Sequence, residues 1–171
     1  MNRRAEWLAT GSARFTSLFY DYGNRSFFIK NRPLWASFIM TIGELLTNRT
    51  VERFTIGNHG VCSLTISGGY SLSQESLLRY VGKPGVFISS MDHKHQFGLP
   101  APYDAEQDIN SRIAGKTIRR VEIAPSTGDL TLCFDDGRIE IICTSAGYEA
   151  YQVYGPNNFI MVGRGGCEEK L

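Results

Sequence analysis

One phrase occurs twice in this chain. Leu46–Ile56 reads LTNRTVERFTI and Ile113–Ile123 reads IAGKTIRRVEI. At an offset of 67, Thr50/Thr117, Arg53/Arg120 and Ile56/Ile123 are identical. Leu46/Ile113, Arg49/Lys116, Val51/Ile118 and Phe54/Val121 keep their chemical type. One inserted residue then moves the offset to 68, where Gly60/Gly128, Leu64/Leu132 and Gly69/Gly137 match. These 6 identities in 21 pairs stand against roughly one from average composition. A repeat this long in two copies predicts one pseudo-symmetric β domain, because a solenoid needs three or more units. What repeats is scaffold, and scaffold does not name a function.

The second copy shows what the scaffold is. In Asp129–Cys143, Leu130, Leu132 and Phe134 alternate with polar or small residues, and Ile139, Ile141 and Cys143 do the same. Such alternation marks strands with one buried and one wet face, as in an antiparallel sheet. Asp136-Gly137 between them predicts a two-residue type I′ hairpin, which needs positive φ at both central positions. Val121 and Ile123 supply an earlier strand. Tyr151–Tyr154 and Phe159–Val162 follow, joined by the turn cluster Gly155–Asn158. The first copy opens likewise, with strands around Phe54/Ile56 and Cys62–Ile66 and a Gly68-Gly69 turn into Tyr70. It then diverges: Ser73–Val81 reads as a short helix, Val86–Ser89 as a strand, and Asp108–Ala114 as one helical turn. The fold class expected is α+β, mostly antiparallel β, built from two β-meander halves.

At 171 residues the chain is long enough for one well-cored domain. The halves fall at about 41–91 and 112–166, with a polar, proline-punctuated connector at 92–111 and a tail at 167–171. Residues 1–40 lie outside this grammar, with nine of the twenty aromatics and a charge of +4, against −3 for residues 41–171. Two readings of this head stand: an aromatic extension packed on the body or a partner, or upstream sequence ahead of a true start at Met40. A mildly acidic body suits a basic protein partner better than a phosphate backbone, which requires clustered Lys and Arg. No window approaches the roughly 18 apolar residues of a membrane span. Cys62, Cys133, Cys143 and Cys167 form no C-x-x-C pair, so free thiols in a reducing cytoplasm are expected.

Chemistry-bearing constellations are sparse. On a strand, His93 and His95 of Asp92-His93-Lys94-His95 would share a face and could bind a metal. His59 is the only further histidine, while Lys83 and Lys94 oppose a cation. The expectation is therefore a solvated loop without metal or cofactor. There is no G-x-S-x-G elbow, and no glycine-rich loop opening a helix for a phosphate or dinucleotide. The densest aromatic and polar stretch is Tyr148–Tyr154. Tyr148, Glu149 and Tyr151, with Asp135, Asp136 and Glu140 on the neighbouring hairpin, form the candidate partner surface. It is acidic and rich in tyrosine, a residue enriched at interfaces. The alternative turns Tyr151 and Val153 into the core, with Glu149 capping a turn.

LLTNRTVERFTIG and IAGKTIRRVEIAPSTGDLTLCFDDGRIEII, followed by GYEAYQVYGPNNFIMVGRGG, resemble a family of small bacterial two-repeat proteins. In that family each half opens with L-x-G-K-x-I-x-x-[VI], and the second half runs into Y-E-[SA]-[WY]. The resemblance spans about residues 41–166; this chain departs from it at Asn48, where the phrase carries glycine, and in its long connector. Members are similar to orphan immunity proteins of contact-dependent growth inhibition and other polymorphic toxin systems. The resemblance implies a two-sheet, pseudo-duplicated fold reminiscent of Whirly single-strand-binding proteins. It also implies a non-enzymatic, cytoplasmic inhibitor of a cognate toxin, such as a basic nuclease, with no small-molecule substrate. The rival readings are a single-stranded nucleic-acid-binding module and, behind it, a metal-dependent hydrolase.

Overall fold

The computed structural model describes residues 18–21, 26–29, 41–83, 85, 87–144 and 147–165. Met40 and Cys167 lie outside them, as do most of the head and the tail. Two head segments are described as backbone: β1 (Leu18–Asp21) pairs antiparallel with β2 (Ser26–Ile29).

The body begins with α1 (Ile42–Leu46), which is short but well capped. Thr41 accepts from the Glu44 N–H at 3.2 Å, and Glu44 Oε2 accepts from the Thr41 N–H at 2.6 Å. This reciprocal box satisfies two of the amides that a helix start leaves unpaired. Three strands follow: β3 (Val51–Ile56), β4 (Cys62–Ile66) and β5 (Tyr70–Gln74). Then come β6 (Leu77–Gly82), β7 (Phe87–Ser89) and α2 (Ala105–Ile113). The chain closes with β8 (Arg120–Ile123), β9 (Leu130–Cys133), β10 (Gly137–Ile142), β11 (Glu149–Gly155) and β12 (Phe159–Arg164).

Two five-stranded antiparallel sheets result, in the orders β12-β11-β5-β4-β3 and β7-β6-β10-β9-β8. Each sheet takes three consecutive strands from one stretch of chain and two from the other. Thus β6 leaves its predecessors to pair with β10, and β11 leaves its own to pair with β5. The inward rows of both sheets merge into one core that includes Phe54, Leu64, Leu72, Leu78, Leu132, Ile139, Ile141 and Val153, with Ile109 and Ile113 from α2. The short β2 lies beside β12.

The helical reading of Ser73–Val81 is wrong; these residues end β5 and form β6. Leu78 and Tyr80 face the core, and Val81 on the opposite face is also buried. With apolar Leu77 and Val81 also on the outward face, either side of Arg79, the alternation is blurred, and at this length the run looks helical. The connector becomes helix at Ala105 rather than making a single turn from Asp108. Asp104 caps it by accepting from the Gln107 N–H at 3.0 Å, and Ala105, Ile109 and Ile113 form its buried stripe.

The type I′ expectation at Asp136-Gly137 also fails. Asp135 and Asp136 make the bend, Gly137 opens β10, and neither Asp136 nor Gly137 has positive φ. The glycine is needed for space: a Cβ there would sit 2.4 Å from the Tyr80 hydroxyl and 2.7 Å from its ring. Tyr80 is buried, so the ring has little room to yield. Gly137→Val is expected to cost about 1–3 kcal/mol by overpacking. Urea unfolding in a Tyr80→Leu background checks the cause. The cost should largely disappear there, and an undiminished cost would mean the backbone, not the ring, demands glycine.

Candidate functional site

The six residues expected to form one acidic, aromatic surface do not come together. Asp135 and Asp136 sit at one end of β10. Tyr148 and Glu149 follow its other end, after the chain has crossed to the second sheet. The six residues of β10 alone span about 20 Å. Tyr148 is exposed, at 75 %. Glu149 is exposed too and accepts from Gln152 Nε2 at 2.9 Å. Tyr151 is a core residue, at 4 % exposure, with its ring across Gly163 and its hydroxyl 3.5 Å from the Gly128 carbonyl. Its side of β11 faces the buried rows of β5, which the alternating pattern of the strand allowed.

The three acids are also neutralised. Arg119 grips Asp135 through Nε and Nη2 at 2.9–3.1 Å, and Lys116 pairs with Asp136. These partners hold both carboxyls below the usual aspartate range. Glu140 lies between Arg79, at 2.5 Å, and Arg138, at 2.6 Å, with 12 % of its side chain exposed. Burial pushes its pKa up, but the two guanidinium bonds outweigh burial and leave it lowered. A carboxylate depressed by folding contributes stability in full above its unfolded value and loses it as pH falls through the folded one. From a starting value of 4.5, that loss lies on the acid side of about pH 4.5. Glu140→Gln should therefore flatten the acid limb of a urea-midpoint profile below that pH; an unchanged slope would show that the Arg79–Glu140–Arg138 set adds nothing.

The register explains why these charges gather. Ser89, Arg79, Glu140, Thr131 and Glu122 form one outward row across β7-β6-β10-β9-β8, and Phe87, Val81, Arg138, Cys133 and Arg120 form the next. With Glu140 sunk beneath them, the guanidinium groups of Arg79, Arg138 and Arg120 dominate what this face presents. The acidic surface expected from the sequence is thus an arginine-rich one. Three of the counter-charges, Arg79 on β6 and Lys116 and Arg119 on the approach to β8, are distant in sequence and so were concealed; Arg138 lies on β10 itself, two residues from Glu140.

His93 and His95 lie in irregular backbone, with Lys94 between them at φ 67, so they do not share a face as strand residues would. His93 Nδ1 is 3.6 Å from Asp104 Oδ1, and the His95 ring stacks on Phe97 at 5.3 Å. Among the described residues, no three His, Cys, Asp or Glu side chains cluster as metal ligands do. Burial pushes the Cys62 and Cys143 thiols up to about 11, where the nucleophilic thiolate is scarce at neutral pH. Cys133 is half-exposed on the outer sheet face, 3.8 Å from Arg120 Nη2.

Exposed apolar side chains, not expected from the sequence, gather in the stretch of chain from Phe87 to Leu99. Phe87, Met91, Phe97 and Leu99 are four of the six large apolar side chains exposed among the described residues; Tyr148 and Tyr154 are the others. Concentrated exposure of this kind marks interaction sites. Phe97 and Leu99 were present in the sequence as apolar residues within a connector, 92–111, otherwise polar enough to read as linker, while Phe87 fell in the expected strand Val86–Ser89. No helix among the described residues is long and apolar enough to cross a membrane. Compared with protein-family models, curated proteins and solved structures, the chain matches none.

Proposed function

We propose that this protein is a non-enzymatic, cytoplasmic immunity protein that inhibits a cognate bacterial toxin by occupying its active or substrate site. The observation that carries the reading is the apolar surface of Phe87, Met91, Phe97 and Leu99. Phe87 lies 5.7 Å from the Arg79 guanidinium at the edge of the arginine-rich sheet face, and Arg, Met and aromatic residues are enriched at protein interfaces. The motif resemblance to immunity proteins supplies the class of partner, for which a nuclease is the simplest choice. Co-expression with the product of the adjacent reading frame tests the reading. The chain should restore growth and co-purify with that product; continued killing, with both proteins present at full level, contradicts it.

Our finer reading of the fold is a duplicated, Whirly-like unit whose two halves exchange their last strands about a pseudo-two-fold axis. It is supported by the bridge between Thr50 and Thr117, which are equivalent at the offset of 67. Around it, Asn48 N–H donates to the Ile118 carbonyl as Gly115 N–H does to that of Val51, and Val51 N–H donates to Lys116 as Ile118 N–H does to Arg49. Each pair of bonds maps onto its mate under the same offset. Asn48 and Gly115 both take positive φ, 65° and 79°. The departure from glycine at position 48 therefore keeps the conformation, which asparagine tolerates. Arg79, Arg120 and Arg138 on one sheet face favour a second reading, a single-stranded nucleic-acid module; tight, salt-sensitive oligonucleotide binding would select it.

A further inference from the structure

The exposed apolar residues are not evenly presented, and one segment displays them in a fixed shape. Between the single 3-10 turn at Ser90–Asp92 and the start of α2, residues 93–104 form a loop. Their ends are tied: Lys94 N–H donates to the Tyr103 carbonyl and Tyr103 N–H to that of His95, both at 2.8 Å. The Tyr103 hydroxyl donates to Asp108 on α2 at 2.6 Å, which pins the neck to the helix. A loop with closed ends and its own internal bonds is compact, and such loops are frequently functional.

Its tip is more constrained still. Leu99 N–H donates to the Gln96 carbonyl at 2.6 Å, and Gln96 Nε2 donates to that of Leu99 at 3.0 Å. Within this turn Phe97 has φ 43 and Gly98 φ 76. Positive φ suits the glycine, but for a bulky aromatic residue it is a genuine outlier. Strained backbone of this kind persists where the surroundings hold it, and it concentrates at binding sites. The conformation turns Phe97 outward at 65 % exposure and Leu99 at 45 %, with His95 stacked against the Phe97 ring. Pro100 and Pro102 stiffen the return strand, and no charged residue occurs from Gln96 to Tyr103. An apolar tip already held in shape loses little freedom on binding.

The base of the loop has the opposite character. Residues 92–112 hold four carboxylates, Asp92, Asp104, Glu106 and Asp108, against Lys94 and Arg112, which also faces Tyr103: −4 and +2, a local charge of −2 with neutral histidines. This arrangement, an uncharged apolar tip over an acidic base, decides the partner. An anionic lipid surface attracts basic segments and would repel this base. A basic protein with an apolar recess offers complementary charge at the rim and a place for the tip, and such complementarity steers association.

We infer that the loop of residues 93–104 is the inhibitory plug, inserting Phe97 and Leu99 into an apolar recess at the substrate cleft of a basic toxin. The inference rests on the immunity reading and assigns the part of the surface that does the blocking. It moves the acidic contact from Asp135 and Asp136, which are already paired, to the ground beneath this loop.

Calorimetric titration of the full chain with a catalytically inactivated product of the adjacent reading frame tests it. Phe97→Ala with Leu99→Ala should raise Kd by about 30-fold or more, the size of a hot-spot truncation. Thermal melting should be unchanged, because both side chains are exposed. If the pair perturbs the melt, Leu99→Asp alone serves the same purpose. Binding within about twofold of the unsubstituted chain would overturn the plug while leaving the immunity reading intact. No binding by the unsubstituted chain removes both. The same titration against vesicles of phosphatidylcholine and phosphatidylglycerol should show no uptake. Vesicle binding lost in the Phe97→Ala, Leu99→Ala variant would assign the tip to lipid and overturn the proposal.

Discussion

Tyr151→Ala is expected to lower the unfolding free energy by about 3–4 kcal/mol, in the range for truncating a large buried aromatic. The ring fills the space above Gly163, where a Cβ would lie 2.0 Å from ring carbon. Gly163 has no side chain with which to fill that space. In a domain whose whole stability is of order 5–15 kcal/mol, such a loss moves the urea midpoint substantially. Tyr151→Phe keeps the ring and should cost only about 1 kcal/mol through the hydroxyl. The outcome also settles the role of the residue. An Ala variant with an unchanged midpoint but weakened partner binding would return Tyr151 to the surface.

Asn110→Leu is expected to cost about 2–3 kcal/mol and to expose an edge. The Asn110 side chain behaves as a missing strand for β3: Oδ1 accepts from the Phe54 N–H at 2.8 Å, and Nδ2 donates to the Phe54 carbonyl at 2.6 Å. One turn earlier, Glu106 accepts from the Ile56 N–H at 2.8 Å. Leucine at position 110 abandons a donor and an acceptor at once, each costing about 1–3 kcal/mol if left unpaired and dry. The freed edge is a template for another chain. Light scattering should therefore show self-association in the variant that the unsubstituted protein lacks. A variant with normal stability that stays at the original size would mean water replaces the amide at no cost.

The same device explains why part of the fold was legible and part was not. Alternation at Leu130–Phe134 and Ile139–Cys143 gave β9 and β10, because one face of each is wet. The Asn157-Asn158 turn was legible because its residues adopt the positive φ, 59° at both, that their type favours. The capping box of Thr41 and Glu44 was present as T-x-x-E, yet α1 is too short for periodicity to announce it. β6 was misread because apolar Leu77 and Val81 on its outward face blurred the alternation. The caps that Asn110 and Glu106 place on β3 join residues about fifty apart, and no local signal carries such a pairing. The partner surface failed in part for the same reason: Arg79, Lys116 and Arg119, which neutralise these charges, come from distant stretches of chain, although Arg138, two residues from Glu140, was in plain view. The apolar loop tip escaped because its charge-free run is short and set among turn residues.

A protein that inhibits by occupying a site acts in proportion to its amount, whereas an enzyme that inactivates its target turns over. The direct measurement is to titrate the activity of the proposed toxin partner with increasing amounts of this protein. Residual activity is read after a short and a long incubation. One-to-one blocking gives a straight decline to zero at one equivalent, the same at both times. Inactivation that deepens with time at a small fraction of an equivalent, or activity untouched by an excess, would contradict it.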